Sequence, residues 1–252
     1  MSAALRAGAV FAVVIAVWQA IVWFGDITPF ILPGPGRVAV ELWENAPMLG
    51  HHALITGGEV VAGIALGALL GGITALSLVA SPGMAKFSLP VLVFSQSIPF
   101  FALAPILVLW FGFGMASKIV MALLIIYFPV TSAFYDGLKR TDPGLLDLAR
   151  VMGATPRAVL WRLRVPAAMP AFASGLRLAA VYAPIGAVIG EWTGGASGGL
   201  GYLMHLANGR AKVDLMFAAI FVLSLFTVAL YAAISRLGVA MEAYAAGKLR
   251  EN

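Results

Sequence analysis

The sequence predicts an all-α polytopic membrane protein with six transmembrane helices, and three observations predict it. Of 252 residues, 62% are hydrophobic and only 11% charged, with a mean hydropathy of +0.97, whereas a soluble domain carries about 25% charged residues. Several uncharged stretches reach roughly 18 residues or more, enough to cross a hydrocarbon core ~30 Å thick as helices. The basic residues are also unevenly shared among the connections. In a soluble protein the net charge of +5 would suggest nucleic acid. Here basic loops on the cytoplasmic side of a bilayer account for it, and no nucleic-acid partner is expected. The absence of cysteine excludes disulfides, thiolate metal ligands and a cysteine nucleophile.

The first span is expected at Ala7–Phe24. It is long for a signal sequence and no small-x-small cleavage site follows it, so a retained span is favoured. The Pro/Gly-rich connection ITPFILPGPGRV leads to a short amphipathic piece around Val38–Trp43 and the pair His51–His52. These histidines have no carboxylate partners at metal-ligand spacing and are read as part of an extracytoplasmic loop. The second span is expected at Leu54–Val79, and its Gly63, Gly67 and Gly71 form a bare stripe that admits a neighbouring backbone. The third, Phe87–Phe111, is interrupted by Pro90, Pro99 and Pro105, and the fourth is Ile119–Phe134. The fifth, Ala167–Ile189, repeats the small-residue device with Gly175, Ala179, Ala183 and Ala187, then Gly186 and Gly190. A Gly-rich link, EWTGGASGGLGYL, precedes the sixth span at Leu215–Val239 and a polar tail. The two halves show no convincing internal repeat.

Orientation follows from counting. With a cytoplasmic N-terminus, the inner side receives Arg6, Lys86, Lys139, Arg140, Arg150, Arg157, Arg162, Arg164, Arg236, Lys248 and Arg250. The outer side receives Arg37, Lys118, Arg210 and Lys212, with Arg177 left inside a span. Eleven against four matches the positive-inside bias for short loops. Both termini and the tract DLARVMGATPRAVLWRLRVP are therefore expected in the cytoplasm.

That tract is the one dense basic island. Asp142 followed by Pro143 is a helix start, with a carboxylate to cap free amides and a proline at the first helical position. Leu145, Leu148, Ala149 and Met152 then share a face, Gly153 stops the helix, and Thr155-Pro156 starts another. The second helix sets Val159, Leu160 and Leu163 on one side, and Pro166 is expected to end it. The island could be an interfacial loop on anionic lipid, a DNA-binding helix-turn-helix, or a docking element for a cytoplasmic subunit. The DNA reading fails because the island is pinned between two spans.

Asp147-Leu148-Ala149, three residues, Gly153, nine residues and Leu163-Arg164-Val165-Pro166 resemble the EAA motif of permease subunits of bacterial ABC importers. Asp147 stands where Glu is usual, Leu148 where Ala is usual, and Leu163 and Val165 where Ile and Leu are usual. SIPFFALAPILVLWFGFG (97–114), GEWTGGASGGLGYL (190–203) and LPGPGRV (32–38) are similar to the branch serving nitrate, sulfonates and taurine. GYLMHLANGRAKVDLMFAA (201–219) resembles permeases for pyrimidine precursors of thiamine. The resemblance implies the type I importer permease fold as one domain over 1–252, with a core of about 54–240 and a coupling loop of about 139–166. It implies that Asp147, Leu148, Ala149, Gly153, Arg157, Arg162, Leu163 and Pro166 meet an ATPase. It also implies a solute-binding protein outside and a second permease copy, with ATP-Mg held by the ATPase and no cofactor on this chain.

No GxxxxGK[ST] phosphate loop is present. The only Gly-Lys pair, Gly247-Lys248, is followed by Leu249 and has Glu242 where the first glycine belongs. The chain therefore needs a separate engine. The alternative is an ion-coupled secondary transporter, disfavoured by the missing repeats. A membrane-embedded enzyme would need convergent catalytic groups, yet there is no HExxH and no paired intramembrane aspartate. Polar residues at membrane depth are costly, so Glu59, Gln96, Ser97, Phe100, Tyr182, Glu191 and Trp192 are the candidate pathway residues. Some have a plainer role open to them. Glu59 could serve a helix N-terminus, Trp192 could anchor at the interface, and the serines could bond back to a proline-kinked helix.

Overall fold

A computed structural model describes residues 3–194 and 198–251. Among the described residues there are helices and connections only. In chain order they are α1 (Ala3–Phe24), α2 (Pro35–Glu44), α3 (Ala46–Ala80), α4 (Pro82–Ser95), α5 (Phe100–Phe111) and α6 (Met115–Lys139). There follow α7 (Pro143–Val151), α8 (Pro156–Val159), a π-helical turn Leu160–Arg164, α9 (Val165–Gly194), α10 (Leu200–Gly209) and α11 (Val213–Glu251). Four helices are long and apolar enough to cross a bilayer: α3, α6, the continuous run Pro156–Gly194, and Val213–Gly247 of α11. α4 and α5 qualify together but bend by 99° at their break, which makes five if they form one span. The apolar stretch Gly8–Phe24 is shorter, so the expected count of six is not confirmed. The side chains of Arg6, Lys248 and Arg250 lie outside the described residues.

The break between α4 and α5 falls where the sequence places it. Pro99 has no N–H and drives Ile98 out of the helical region, so α4 stops at Ser95 and Pro99 caps α5. Pro90 and Pro105, also expected to interrupt this span, sit inside α4 and α5 and do not break them. Four further expectations are corrected. His51 and His52 lie on α3, which starts at Ala46 rather than Leu54. Pro166 does not end the second helix of the island. Ahead of it Val165 N–H donates to the Leu160 carbonyl, five residues back, and this widened turn takes up the proline without a break. The Gly-rich link runs into a helix, α10, and α11 continues through the polar tail. In the last case Ala, Lys and Glu have enough helix propensity to extend an apolar span.

The chain divides into two compact units, 1–56 with 198–225 and 57–197 with 226–252. In the first, Val38, Leu49, Leu200, Leu203, Met204 and Leu215 form the core, and Trp18 stacks on Phe217 at 6.1 Å. Arg37 pairs with Asp214 at 2.8 Å. The start of α10 is held by two side chains of α3. Gly199 N–H donates to His52 Nδ1 at 3.0 Å and Leu200 N–H to Thr56 Oγ1 at 2.8 Å, satisfying amides that a helix start leaves free.

In the second unit α6 lies between the two small-residue stripes. A Cβ at Gly63 would stand 2.8 Å from the Ala122 Cβ, and one at Gly67 2.6 Å from the Ile126 side chain. From α9, a Cβ at Gly186 would stand 2.6 Å from the Ala122 Cα, and one at Gly190 3.0 Å from the Lys118 Cα. α9 therefore meets the α6 backbone, and the α3 glycines make room for α6 side chains, the close approach that the four-residue spacing predicts. Arg177, left without a partner by the sequence, pairs with Glu242 of α11 at 3.0 Å.

Candidate functional site

The island folds into a capped elbow. The Asp142 carboxylate accepts from Gly144 N–H at 2.8 Å, and Thr155 Oγ1 accepts from Ala158 N–H at 3.2 Å. Between them Gly153 takes φ +75°, a region that side-chain-bearing residues rarely enter. Ala149 is buried. Leu145 and Leu148 are exposed, and Val151 and Met152 reach 86% and 76% exposure. Arg157 and Arg162 are exposed, Leu163 is half-buried and Pro166 is buried. Asp147 pairs with Arg150 at 2.7 Å on the same surface. An exposed apolar edge beside guanidinium groups is the composition of a protein-docking surface, since Arg and Met are enriched at interfaces.

The second feature lies in the interior. Glu59 of α3 and Lys118 of α6 approach to 3.1 Å, with side-chain exposures of 0% and 1%. Glu191 of α9, equally buried, is the other charged neighbour of Glu59. Gly190 and Gly194 supply the channel for the lysine stem, since Cβ atoms there would meet Lys118 carbons at 3.0 and 3.5 Å. Sequence reasoning marked both carboxylates and missed the lysine, which it counted as an outer-loop charge. The available signal was that Lys118 is the one charged residue between Phe87 and Tyr135.

Ser95 Oγ donates to the Leu92 carbonyl at 2.6 Å, and Gln96 donates to Ser95 Oγ at 3.3 Å. Ser97 is exposed, and Phe100 packs beside Leu107 and Met121. Tyr182 and Trp192 are partly exposed. Among the described residues no three His, Asp or Glu side chains gather as a metal site. Gly195-Ala196-Ser197-Gly198-Gly199 spells GxSxG, a motif that sequence reasoning took to be absent, with Ser197 outside the described residues. That motif needs a strand before it, and the helix α9 precedes it instead.

The comparisons with known proteins agree with this architecture. Residues 63–242 match the family of binding-protein-dependent transport system inner membrane components. A probable ABC transporter permease protein of Haemophilus influenzae is 52% identical, over 87% of this chain and 89% of its own length. A formylaminopyrimidine transport permease protein of Halalkalibacterium halodurans is 39% identical, over 83% of this chain and 84% of its own. An inward-facing structure of the MetNI methionine ABC transporter superposes with a TM-score of 0.63 at 18% identity, covering 79% of this chain and 97% of the other. The chain thus belongs to the binding-protein-dependent transport family, as an ABC importer permease of the inner membrane that works with an ATPase and a binding protein and is not itself an enzyme.

Proposed function

We propose that two copies of this chain enclose the pathway of an importer for a small amino-substituted pyrimidine of the thiamine-precursor type, with both termini and the elbow in the cytoplasm. The ATPase, which holds the ATP-Mg, docks on the elbow through Leu148, Val151 and Met152, with Arg157 and Arg162 meeting acceptors on it. Asp147, Ala149, Gly153, Leu163 and Pro166 shape that element. The observation that carries the docking role is the exposed apolar edge of α7, fixed between two side-chain caps. Closure of the ATPase then moves packed helices as rigid bodies.

The cargo class is supported by the 39% identical formylaminopyrimidine permease and by the buried charges. Two carboxylates, Glu59 and Glu191, face a single ammonium, that of Lys118. Such a site disfavours sulfonate or nitrate and suits a neutral ring with N–H donors. Trp192, next to Glu191 and partly exposed, offers a face on which a ring stacks. The test is uptake into vesicles that carry the chain, its ATPase and its binding protein. ATP-dependent entry of labelled formylaminopyrimidine, with taurine left outside, is the expected result. Entry driven by a proton or sodium gradient without the ATPase would replace this reading with a secondary transporter.

A further inference from the structure

The island has a second feature, in which Arg150 and Arg157 of the docking surface take part. A cavity of about 500 Å³ opens where α3 ends and α8 begins, lined by Val79, Val159, Leu160, Arg150, Arg157 and Arg164 among others. A neighbouring cavity of about 390 Å³ shares Val79 and Arg164 and adds Lys86 and Lys139. Five cationic side chains therefore line the two cavities, and no aspartate or glutamate lines either. Among the described residues only Arg150 of the five has an ion pair, with Asp147, while Lys139 lies over the Tyr135 ring at 5.3 Å.

Gathering like charges around half-enclosed space is unfavourable unless an anion shares it, because screening by water is reduced there. Guanidinium groups favour oxygen anions that accept several hydrogen bonds at once, and phosphate is the commonest. The other walls are apolar, with Val79, Val159 and Leu160 in the first cavity and Leu78 and Leu89 in the second. Free phosphate would leave those walls wet. A glycerol phosphodiester with its first methylenes would cover them. The cavities also sit at the ends of apolar helices, Ala80 of α3 and Pro82 of α4, the level at which headgroups lie. Basic pockets between spans at that level take anionic headgroups. The π-turn Leu160–Arg164 supplies both Leu160 and Arg164 to the lining, and π-turns are frequent at functional sites.

We propose that these neighbouring cavities bind the phosphodiester headgroup of an anionic phospholipid, which clamps the elbow to the ends of α3 and α4. The proposal requires that the elbow lie at a bilayer surface, and it does not require the docking role or the cargo assigned above. The test uses the full transporter, purified with its ATPase and binding protein from vesicles of equimolar phosphatidylcholine and phosphatidylglycerol, with native mass spectrometry of the retained lipid. Wild-type protein is expected to retain phosphatidylglycerol over phosphatidylcholine. Arg164→Gln and Lys86→Gln are each expected to lower that retention about fivefold. Lys86 is exposed on α4, so its variant keeps the test valid if the Arg164 variant does not fold.

Equal retention of both lipids, or undiminished retention in both variants, would overturn the proposal. Displacement of the lipid by inorganic phosphate alone would assign the cavity to a free anion. Retention by the isolated permease that disappears once the ATPase is bound would assign the basic residues to a protein interface. Either result would also overturn it.

Discussion

Lys118 Nζ lies 3.1 Å from Glu59 Oε1, joining α6 to α3 where neither side chain reaches solvent. Charges so placed are costly to bury and costlier to leave without a partner. Removing the lysine therefore does more harm than removing the pair. Lys118→Met is expected to destabilise the purified protein by about 3–5 kcal/mol. The double variant Lys118→Met with Glu59→Gln should recover part of that loss, read as thermal unfolding of matched preparations in one detergent. Additive losses would show that the two residues act independently.

Gly186 and Gly83 form a contrasting pair. A Cβ at Gly186 would stand 2.6 Å from the Ala122 Cα, whereas one at Gly83 meets nothing within 4 Å. Backbone cannot yield as a flexible side chain can, so Gly186→Ala is expected to cost about 1–3 kcal/mol, with a matching loss of folded protein in the membrane. Gly83→Ala should be close to neutral by the same measurement.

Gly153 also has open space around it, so size is not its constraint. Its φ of +75° is. Gly153→Val is expected to strain the elbow by about 1–3 kcal/mol and to abolish uptake while the chain still inserts. Gly153→Asn, which tolerates this conformation better, should retain most transport. Wild-type uptake by the valine variant at normal expression would remove the elbow from the coupling step.

Leu148 and Met152 are both exposed on the elbow, where a charge costs the isolated permease little. Met152→Asp is therefore expected to leave its thermal stability unchanged while lowering co-purification of the ATPase at least tenfold, since an apolar anchor contributes roughly 1–2 kcal/mol or more at an interface core. Undiminished co-purification would place the docking face elsewhere.

Much of this could be read from local chemistry. The caps at Asp142 and Thr155, the stop at Gly153 and the break at Pro99 each depend on a few adjacent residues, and all stand where the sequence puts them. The glycine stripes were legible because a bare helix face has one obvious use. What escaped depends on distant partners. Lys118 looked like a loop charge until Glu59, 59 positions earlier, and Glu191, 73 positions later, were folded beside it. His52 looked like loop because its role, accepting a hydrogen bond from Gly199, spans the same kind of distance. Pro166 misled because its cost is absorbed by the widened turn just upstream.

That turn has a mechanical consequence. Because the helix does not break at Pro166, Pro156–Gly194 is one 39-residue rod, with Arg157 at one end and Glu191 at the other. At ~1.5 Å per residue it is nearly 60 Å long, and a tilt of about 5° around one end would swing the other by on the order of 5 Å. A displacement of that size would move Glu191 relative to Glu59 and Lys118, which stand on other helices. The helix can therefore carry a push at its Arg157 end toward the buried charges, with Pro170 and Pro184 the points along it where it can bend.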